Sequence, residues 1–319
     1  MGIRWGLCCQ FADGGVRFRQ ATHRYVATLE PPARLSYLRD IARSNAIALA
    51  HAVARCAELE IGAFRINSQI LPLITHPVSG YRLQSLDDDG TITRSFVAAG
   101  ALARALGIRL SFHPDQFVVL NSTRDEVVIS SIRELDAQAT VASIVGADTI
   151  TLHVGGMTDG KTAALARLER NMERLSSDAR SRLALENDDR LFTVRDLHPL
   201  CMRSGVPLVY DVHHHRCNPD GLDVETATDL ATESWSGREP WMHVSTSRDG
   251  ANASNPRPHA DYIDPDDFPP TWLDRDITVD IEAKAKDDAI VSLREALRSQ
   301  LPTTDSSGPT TSAHARLAR

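Results

Sequence analysis

In five short stretches of this chain, large apolar side chains alternate with small or polar ones. Successive side chains of a strand point to opposite faces, so Leu110 and Phe112 share one face while Ser111 and His113 share the other. In the same way Ile150 and Leu152 oppose Thr151 and His153, and Leu183 and Leu185 oppose Ala184 and Glu186. Met242 and Val244 oppose His243 and Ser245, and Ile277, Val279 and Ile281 oppose Thr278, Asp280 and Glu282. With three further apolar runs, eight strands are predicted, at 3–9, 63–68, 108–113, 149–154, 183–188, 207–215, 240–245 and 276–284. Amphipathic stretches such as 94–107 and 128–147 separate most of them and stop near a glycine. Residues 34–62, between the first two strands, read as two helical pieces. Strict β/α alternation predicts a parallel sheet, and eight strands are the number that closes a single (β/α)8 TIM barrel, here over residues 1–298. The runner-up is an open doubly wound sheet, but no GxGxxG follows the first strand. Residues 299–319, rich in Ser, Thr and Pro, have little to bury and are predicted to be a disordered tail.

Composition changes this picture only at the margins. Hydrophobic residues make up 42% of the chain, enough for a sizeable core. Five scattered cysteines (Cys8, Cys9, Cys56, Cys201, Cys217) form no CxxC, which points to a reducing compartment without a disulfide frame or zinc ribbon. No stretch approaches the roughly 20 apolar residues needed to span a bilayer, and the N-terminus does not read as a signal peptide, so a cytoplasmic location and no membrane partner are expected. The net charge of −7 argues mildly against a nucleic-acid partner. Carboxylates that hold a cation still count in that sum, however, and a basic track can lie on one face of an acidic protein.

The candidate chemistry lies on the polar phase of the strands. Five strands end in His or Glu on the face that would look into the barrel, at the C-terminal end where such folds build active sites. Burying that many ionisable groups together is costly unless a cation pairs with them. A shared divalent-metal site resolves the cost, and His and carboxylate ligands without Cys suit Zn, Mn, Fe or Co. The run "YDVHHHRC" (210–217) belongs to the same pattern. Strict alternation turns Asp211, His213 and His215 inward, whereas a strand ending near Val212 would turn His214 inward instead. One ligand and two bystanders is the preferred reading.

The strand ends also resemble the UV damage endonuclease family. The resemblance rests on "FRINSQILPLITH" (64–76), "SFHPDQFVVLNS" (111–122), "LHVGG" (152–156), "LENDD" (185–189), "DVHHH" (211–215), "HVSTS" (243–247), "HADYI" (259–263) and "DIEAKAK" (280–286), in the family's order. It implies a TIM barrel akin to endonuclease IV and xylose isomerase. The implied activity is ATP-independent incision of damaged double-stranded DNA immediately 5′ to a UV photoproduct or other distorting lesion, leaving a 3′ hydroxyl and a 5′ phosphate. By motif, the implied metal ligands are His76, His113, His153, Glu186, Asp211, His214, His243, His259 and Glu282, with Glu186, His243 and Glu282 also counted as catalytic. The resemblance thus favours His214 within the histidine run. The implied cofactor is two or three divalent ions, Mn2+ first, with Zn2+, Mg2+ and Co2+ as alternatives. Gln116 and Phe117 stand where the family has a Gln-Tyr pair that wedges into the duplex at the lesion. Phe117 also reads as a core aromatic before "VVL". Asn121 and Asn187 are expected to orient ligands or phosphate, and Arg65, Lys284 and Lys286 to contact phosphate, although each also reads as an interior ion pair or a solvated lysine. A monomer with no obligatory protein partner is expected.

Two positions depart from the family. Where it usually carries a lysine that can be carboxylated to bridge two metals, this chain has Trp241, and an indole can be neither carboxylated nor coordinated. Where it tends to carry a Tyr in the first strand, this chain has Leu7. Two alternatives are weighed against the repair nuclease. One is a single-metal sugar isomerase or epimerase of the same barrel; the other is a barrel that binds damaged DNA but has lost catalysis.

Overall fold

The computed structural model describes residues 2–300. Eight strands alternate with helices: β1 (Arg4–Cys8), β2 (Ala63–Ile66), β3 (Arg109–Phe112), β4 (Thr149–His153), β5 (Leu183–Glu186), β6 (Leu208–Asp211), β7 (Trp241–Val244) and β8 (Thr278–Ile281). The helices are α1 (His23–Val26), α2 (Pro31–Glu58), α3 (Leu83–Leu86), α4 (Thr91–Ala105), α5 (Asp125–Val145), α6 (Lys161–Met172), α7 (Ser177–Arg182), α8 (Val194–Ser204), α9 (Val212–Cys217), α10 (Val224–Ser234) and α11 (Asp287–Gln300). Each strand pairs in parallel with its sequence neighbours, and β8 closes onto β1, giving a (β/α)8 TIM barrel as the alternation predicted.

The two phases of each strand divide as their chemistry requires. Leu7, Phe64, Leu110, Phe112, Ile150, Leu152, Leu185, Tyr210, Met242, Val244 and Val279 are buried in one core with helix residues such as Leu49, Phe96, Leu135 and Leu197. Each such side chain removed from water stabilises the layer by about 1.5–3 kcal/mol before entropy is counted. Close helix packing depends on small residues: a Cβ added to Gly100 of α4 would lie 2.2 Å from the Val145 carbonyl oxygen of α5. The opposite phase fills the barrel. Ala63, Ala184, Val209 and Trp241 form a small apolar cluster with Trp235, and ionisable residues occupy the next inward positions.

Two expectations need correction. After the four-residue α1, residues 34–62, expected as two helical pieces, are helical without a break as far as Glu58 in the single 28-residue α2. Its two prolines sit at the first helical positions, where a missing N–H costs nothing, and its interior has no Gly or Pro to break it. The sixth strand ends at Asp211 rather than 215. Leu7, which replaces the tyrosine expected from the resemblance, lies in the outer phase with the helix-facing core. Helix α11 runs two residues past the expected domain end, and the tail expected beyond it lies outside the described residues from 301 onward. Among the described residues no helix is long and apolar enough to cross a membrane.

Candidate metal centre

Strand register assembles the site. Pairing of β4 with β5 sets His153 beside Glu186, and pairing of β6 with β7 sets Asp211 beside His243. All four are inward-facing and lie at or near the C-terminal ends of their strands. Glu186, 1% exposed, becomes the hub. Its Oε2 lies 2.8 Å from His113 Nε2 and 3.7 Å from His153 Nε2. Its Oε1 lies 3.2 Å from both His214 Nδ1 and His243 Nδ1.

The histidine run resolves through a helix cap. Asp211 is the N-cap of α9, and its Oδ1 accepts the backbone N–H of His214 at 2.7 Å, so the strand phase ends there. The turn brings His214 Nδ1 to 3.6 Å from Asp211 Oδ2 and against Glu186. His213 points elsewhere, its Nε2 3.1 Å from the Arg257 carbonyl oxygen. His215 is held between the Tyr210 hydroxyl at 2.6 Å and Asp220 at 3.2 Å. Asn187 fixes Asp211 from behind: its amide donates to the Asp211 carbonyl and its oxygen accepts the Asp211 N–H, both at 2.9 Å.

A second tier is built around Arg65, which is buried among its partners and lines the cavity into which the centre opens. It donates to Glu282 at 2.6 Å, to Asp280 at 2.8 Å and to His243 Nε2 at 3.0 Å. The last contact turns Nδ1 of the same ring toward Glu186 and Glu282. His259 completes this side, with its Nδ1 3.7 Å from Glu282 Oε2.

The electrostatics follow from the contacts. Burial pushes the Glu186 carboxyl up, but the His153 and His243 charges, the His113 hydrogen bond and the nearby His214 ring outweigh it and hold the group well below the usual carboxylate range. Burial disfavours a charged His214, yet Asp211 and Glu186 raise its imidazole well above the ordinary value. His153, where burial dominates, is lowered. Glu282 is lowered because Arg65 and His243 overcome its burial.

The residues fit a divalent cation. Donor atoms of His113, His153 and Glu186 converge within 4.8 Å of one another, as do those of Glu186, Asp211 and His214. His153 Nδ1, Glu186 Oε1, Asp211 Oδ2 and His243 Nδ1 are buried without a hydrogen bond, a costly state that a shared cation relieves. The set is nitrogen and oxygen only, which suits Mn, Zn, Fe or Co.

Not every residue named from the sequence joins this centre. His76 stacks on His23 at 4.3 Å, its Nδ1 accepts the Val78 and Ser79 N–H groups, and it borders a separate cavity. Asn121 is buried and donates to the Gly156 carbonyl, which ties the loop after β3 to the loop after β4. Lys284 is exposed and Lys286 half-buried, with no side-chain hydrogen bond or ion pair among the described residues. Trp241 sits one inward position below His243, packed with Ala63, Ala184 and Val209, with the Arg109 guanidinium 4.7 Å from its ring.

The centre opens into a cavity of about 1140 Å³ whose walls include His113, His153, His214, His259 and Glu282. A second cavity of about 530 Å³ shares Gln116, His153, His214 and His259 with it, so Gln116 stands on the ridge between them. Phe117 is 69% exposed at the rim, which excludes the core reading of this ring. Sequence reasoning missed Asp280 as the anchor of Arg65, and it missed the arm after β1, whose Phe11, Arg17 and Phe18 wall the larger cavity. The interleaved aromatics and arginines of that arm were the available signal.

Comparison with known proteins agrees with this fold. A family model described as UV-endonuclease UvdE matches residues 4–309. A UV DNA damage endonuclease of Deinococcus radiodurans is 34% identical over 299 residues, 91% of this chain and 94% of that protein. One of Bacillus velezensis is 33% identical over 250 residues, 74% and 75% of the two chains. The crystal structure of SacUVDE superimposes with a TM-score of 0.83 at 27% identity, covering 93% of this chain and 98% of that one. Endonuclease IV from Thermus thermophilus shares the fold, with a TM-score of 0.61 at 15% identity and coverage of 93% and 99%. The chain belongs to the UV-endonuclease UvdE family.

Proposed function

We propose that this DNA repair endonuclease, acting as a monomer on damaged duplex DNA, incises the strand immediately 5′ to a UV photoproduct or other distorting lesion in a metal-dependent reaction. The observation that carries the reading is the Glu186 hub, where four imidazoles and orphaned buried donor atoms converge at the barrel mouth. His113, His153, Glu186, Asp211 and His214 would hold divalent ions, with His243, Glu282 and His259 adjoining them. Bound there, two or three ions such as Mn2+ supply Lewis acidity toward the scissile phosphate and acidify an attacking water.

The chain's own residues do the rest. Asn187 and the α9 cap hold Asp211 and His214 in place, and Arg65 fixes both Glu282 and the ring orientation of His243. Water oxygen attacks phosphorus, the bond to the 3′ oxygen breaks, and that oxygen takes up a proton, leaving a 3′ hydroxyl and a 5′ phosphate. Gln116 on the ridge and the exposed Phe117 at the rim would fill the gap as damaged bases leave the stack, a role their position beside the cavity supports. The family match is to a DNA endonuclease and not to the sugar isomerases that share the barrel.

The test is incision of an end-labelled duplex carrying one defined photoproduct, with Mn2+ and with chelator. A single cut just 5′ to the lesion, lost with chelator and absent on undamaged duplex, is expected. Lesion binding without a cut, in protein shown to contain metal, would overturn the reading in favour of a damage-binding barrel.

A further inference from the structure

On the far side of the loop that carries Gln116 and Phe117, a cavity of about 460 Å³ is lined by Ser122, Thr123, Asp125, Val128, Arg167, Arg170, Asn171 and Arg174. Three guanidiniums stand there against Asp125 in the wall and Asp159 beside it, in a protein whose net charge is −7. The arginines stand at spacings of three and four along and just past α6, a single stripe on a helix surface. Two of them are held in place. Arg167 donates to the Asn121 carbonyl at 2.9 Å and to the Thr158 carbonyl, and its third nitrogen pairs with Asp159 Oδ2 at 3.3 Å. Arg174 is pinned by Asp125 at 2.8 Å and by the Asn171 side-chain oxygen at 3.0 Å. Arg170 is exposed and has no ion pair or hydrogen bond among the described residues. The other wall adds the Ser122 and Thr123 side chains and the start of α5, whose N-cap, Arg124, supplies no side-chain hydrogen bond.

The location supplies the ligand. Ser122 and Thr123 end the same β3–α5 loop that begins at His113 and carries Gln116 and Phe117, so the cavity lies on the C-terminal face of the barrel with the metal centre. Arg167 and Asn121 tie this loop to the one after β4, which makes the wedge and the arginine cleft parts of one braced unit. We propose that the cleft of Arg167, Arg170, Arg174, Ser122 and Thr123 takes a backbone phosphate of the duplex flanking the lesion, away from the scissile bond. The proposal rests on the reading of the protein as a lesion endonuclease and adds a contact that positions the duplex without taking part in cleavage. Such a contact releases counterions and carries no sequence information.

The probe is a fluorescently labelled duplex with one defined photoproduct, bound to the metal-loaded full chain over a range of salt concentrations. Arg170→Ala is the variant, since Arg170 touches nothing whose loss would disturb the fold. Arg133→Ala is the control: it removes one exposed charge, unpaired among the described residues, eight residues further along α5 and about 12 Å away. Arg170→Ala is expected to weaken binding several-fold and to lower the slope of log affinity against log salt by about 0.9, the value for one phosphate contact. Arg133→Ala should leave that slope unchanged. Equal slopes for wild type and Arg170→Ala, or equal losses in both variants, would overturn the cleft and reduce it to a solvated arginine face. Wild-type incision is read on the same preparation, so failure of the endonuclease reading shows separately as absence of lesion-dependent cutting.

Discussion

Glu186→Gln is the most direct test of the metal centre, because it removes one charge and keeps the shape. The wild-type carboxylate faces four imidazole nitrogens at 2.8, 3.2, 3.2 and 3.7 Å and belongs to both convergent donor groups. Removing one member of a buried charged cluster costs about 3–5 kcal/mol. If the same attraction is lost to the cation, about 1.4 kcal/mol per decade makes this a loss of roughly 100- to 4,000-fold in metal affinity. The fold should survive, since the outer core that carries the strands does not include this side chain. The assay has three readouts: metal content after desalting, measured by emission spectroscopy; far-UV circular dichroism; and incision of a photoproduct duplex at limiting and excess Mn2+. Expected are an unchanged spectrum, metal lost on desalting, and incision down at least about 100-fold at limiting metal. Partial recovery is expected in excess metal, because His113, His153, Asp211 and His214 remain. Wild-type metal content together with wild-type turnover would refute Glu186 as the shared ligand.

Three further outcomes follow from other parts of the structure. Gln116→Ala combined with Phe117→Ala should leave metal content intact and narrow the difference in affinity between damaged and undamaged duplex; unchanged discrimination would remove the wedge. Glu239 is held below its usual range because hydrogen bonds from Arg4 and Thr278 overcome its burial. A depressed carboxylate contributes stability that is full above its unfolded value of about 4.3 and is lost as pH falls through the folded value. Glu239→Gln should therefore lower the melting temperature at pH 7 by an amount that shrinks below pH 4, and a pH-independent difference would refute the linkage. Trp241→Lys, which installs the residue the family resemblance implies, should cost about 3–5 kcal/mol, a melting shift on the order of 10 °C. It removes a buried indole and sets a second cation beside Arg109, so unchanged melting would show that the barrel floor accommodates the lysine.

Legibility in the sequence tracked how many constraints a residue obeyed at once. His113, His153, Glu186 and His243 could be placed because one two-residue period fixes both the face and, through parallel register, the neighbour. The histidine run could not be settled that way, because its geometry depends on Asp211 ending the strand by capping a helix, a competition between local hydrogen bonds that alternation does not express. His76 was harder still. It lies on the long connection after β2, where no period operates, and its ring answers to His23 and two backbone amides.

Arg65 shows why interior pairs escape a strand-by-strand reading. Its partner Asp280 lies on β8, two strands away in the barrel, with β1 between them. A side chain on β1 at that level would block the path, but the residue there is Gly6, paired in register with both Ala63 and Asp280. A Cβ at Gly6 would stand 2.0 Å from Asp280 Oδ1. One glycine therefore opens the space through which a carboxylate from β8 reaches a guanidinium from β2, and that guanidinium then orients Glu282 and His243. Taken singly, Gly6 reads as a weak strand residue, Asp280 as a spare acid and Arg65 as a phosphate contact. Only closure of the barrel makes the three a single device, in which the absence of a side chain on one strand sets the ring orientation at the metal centre on another.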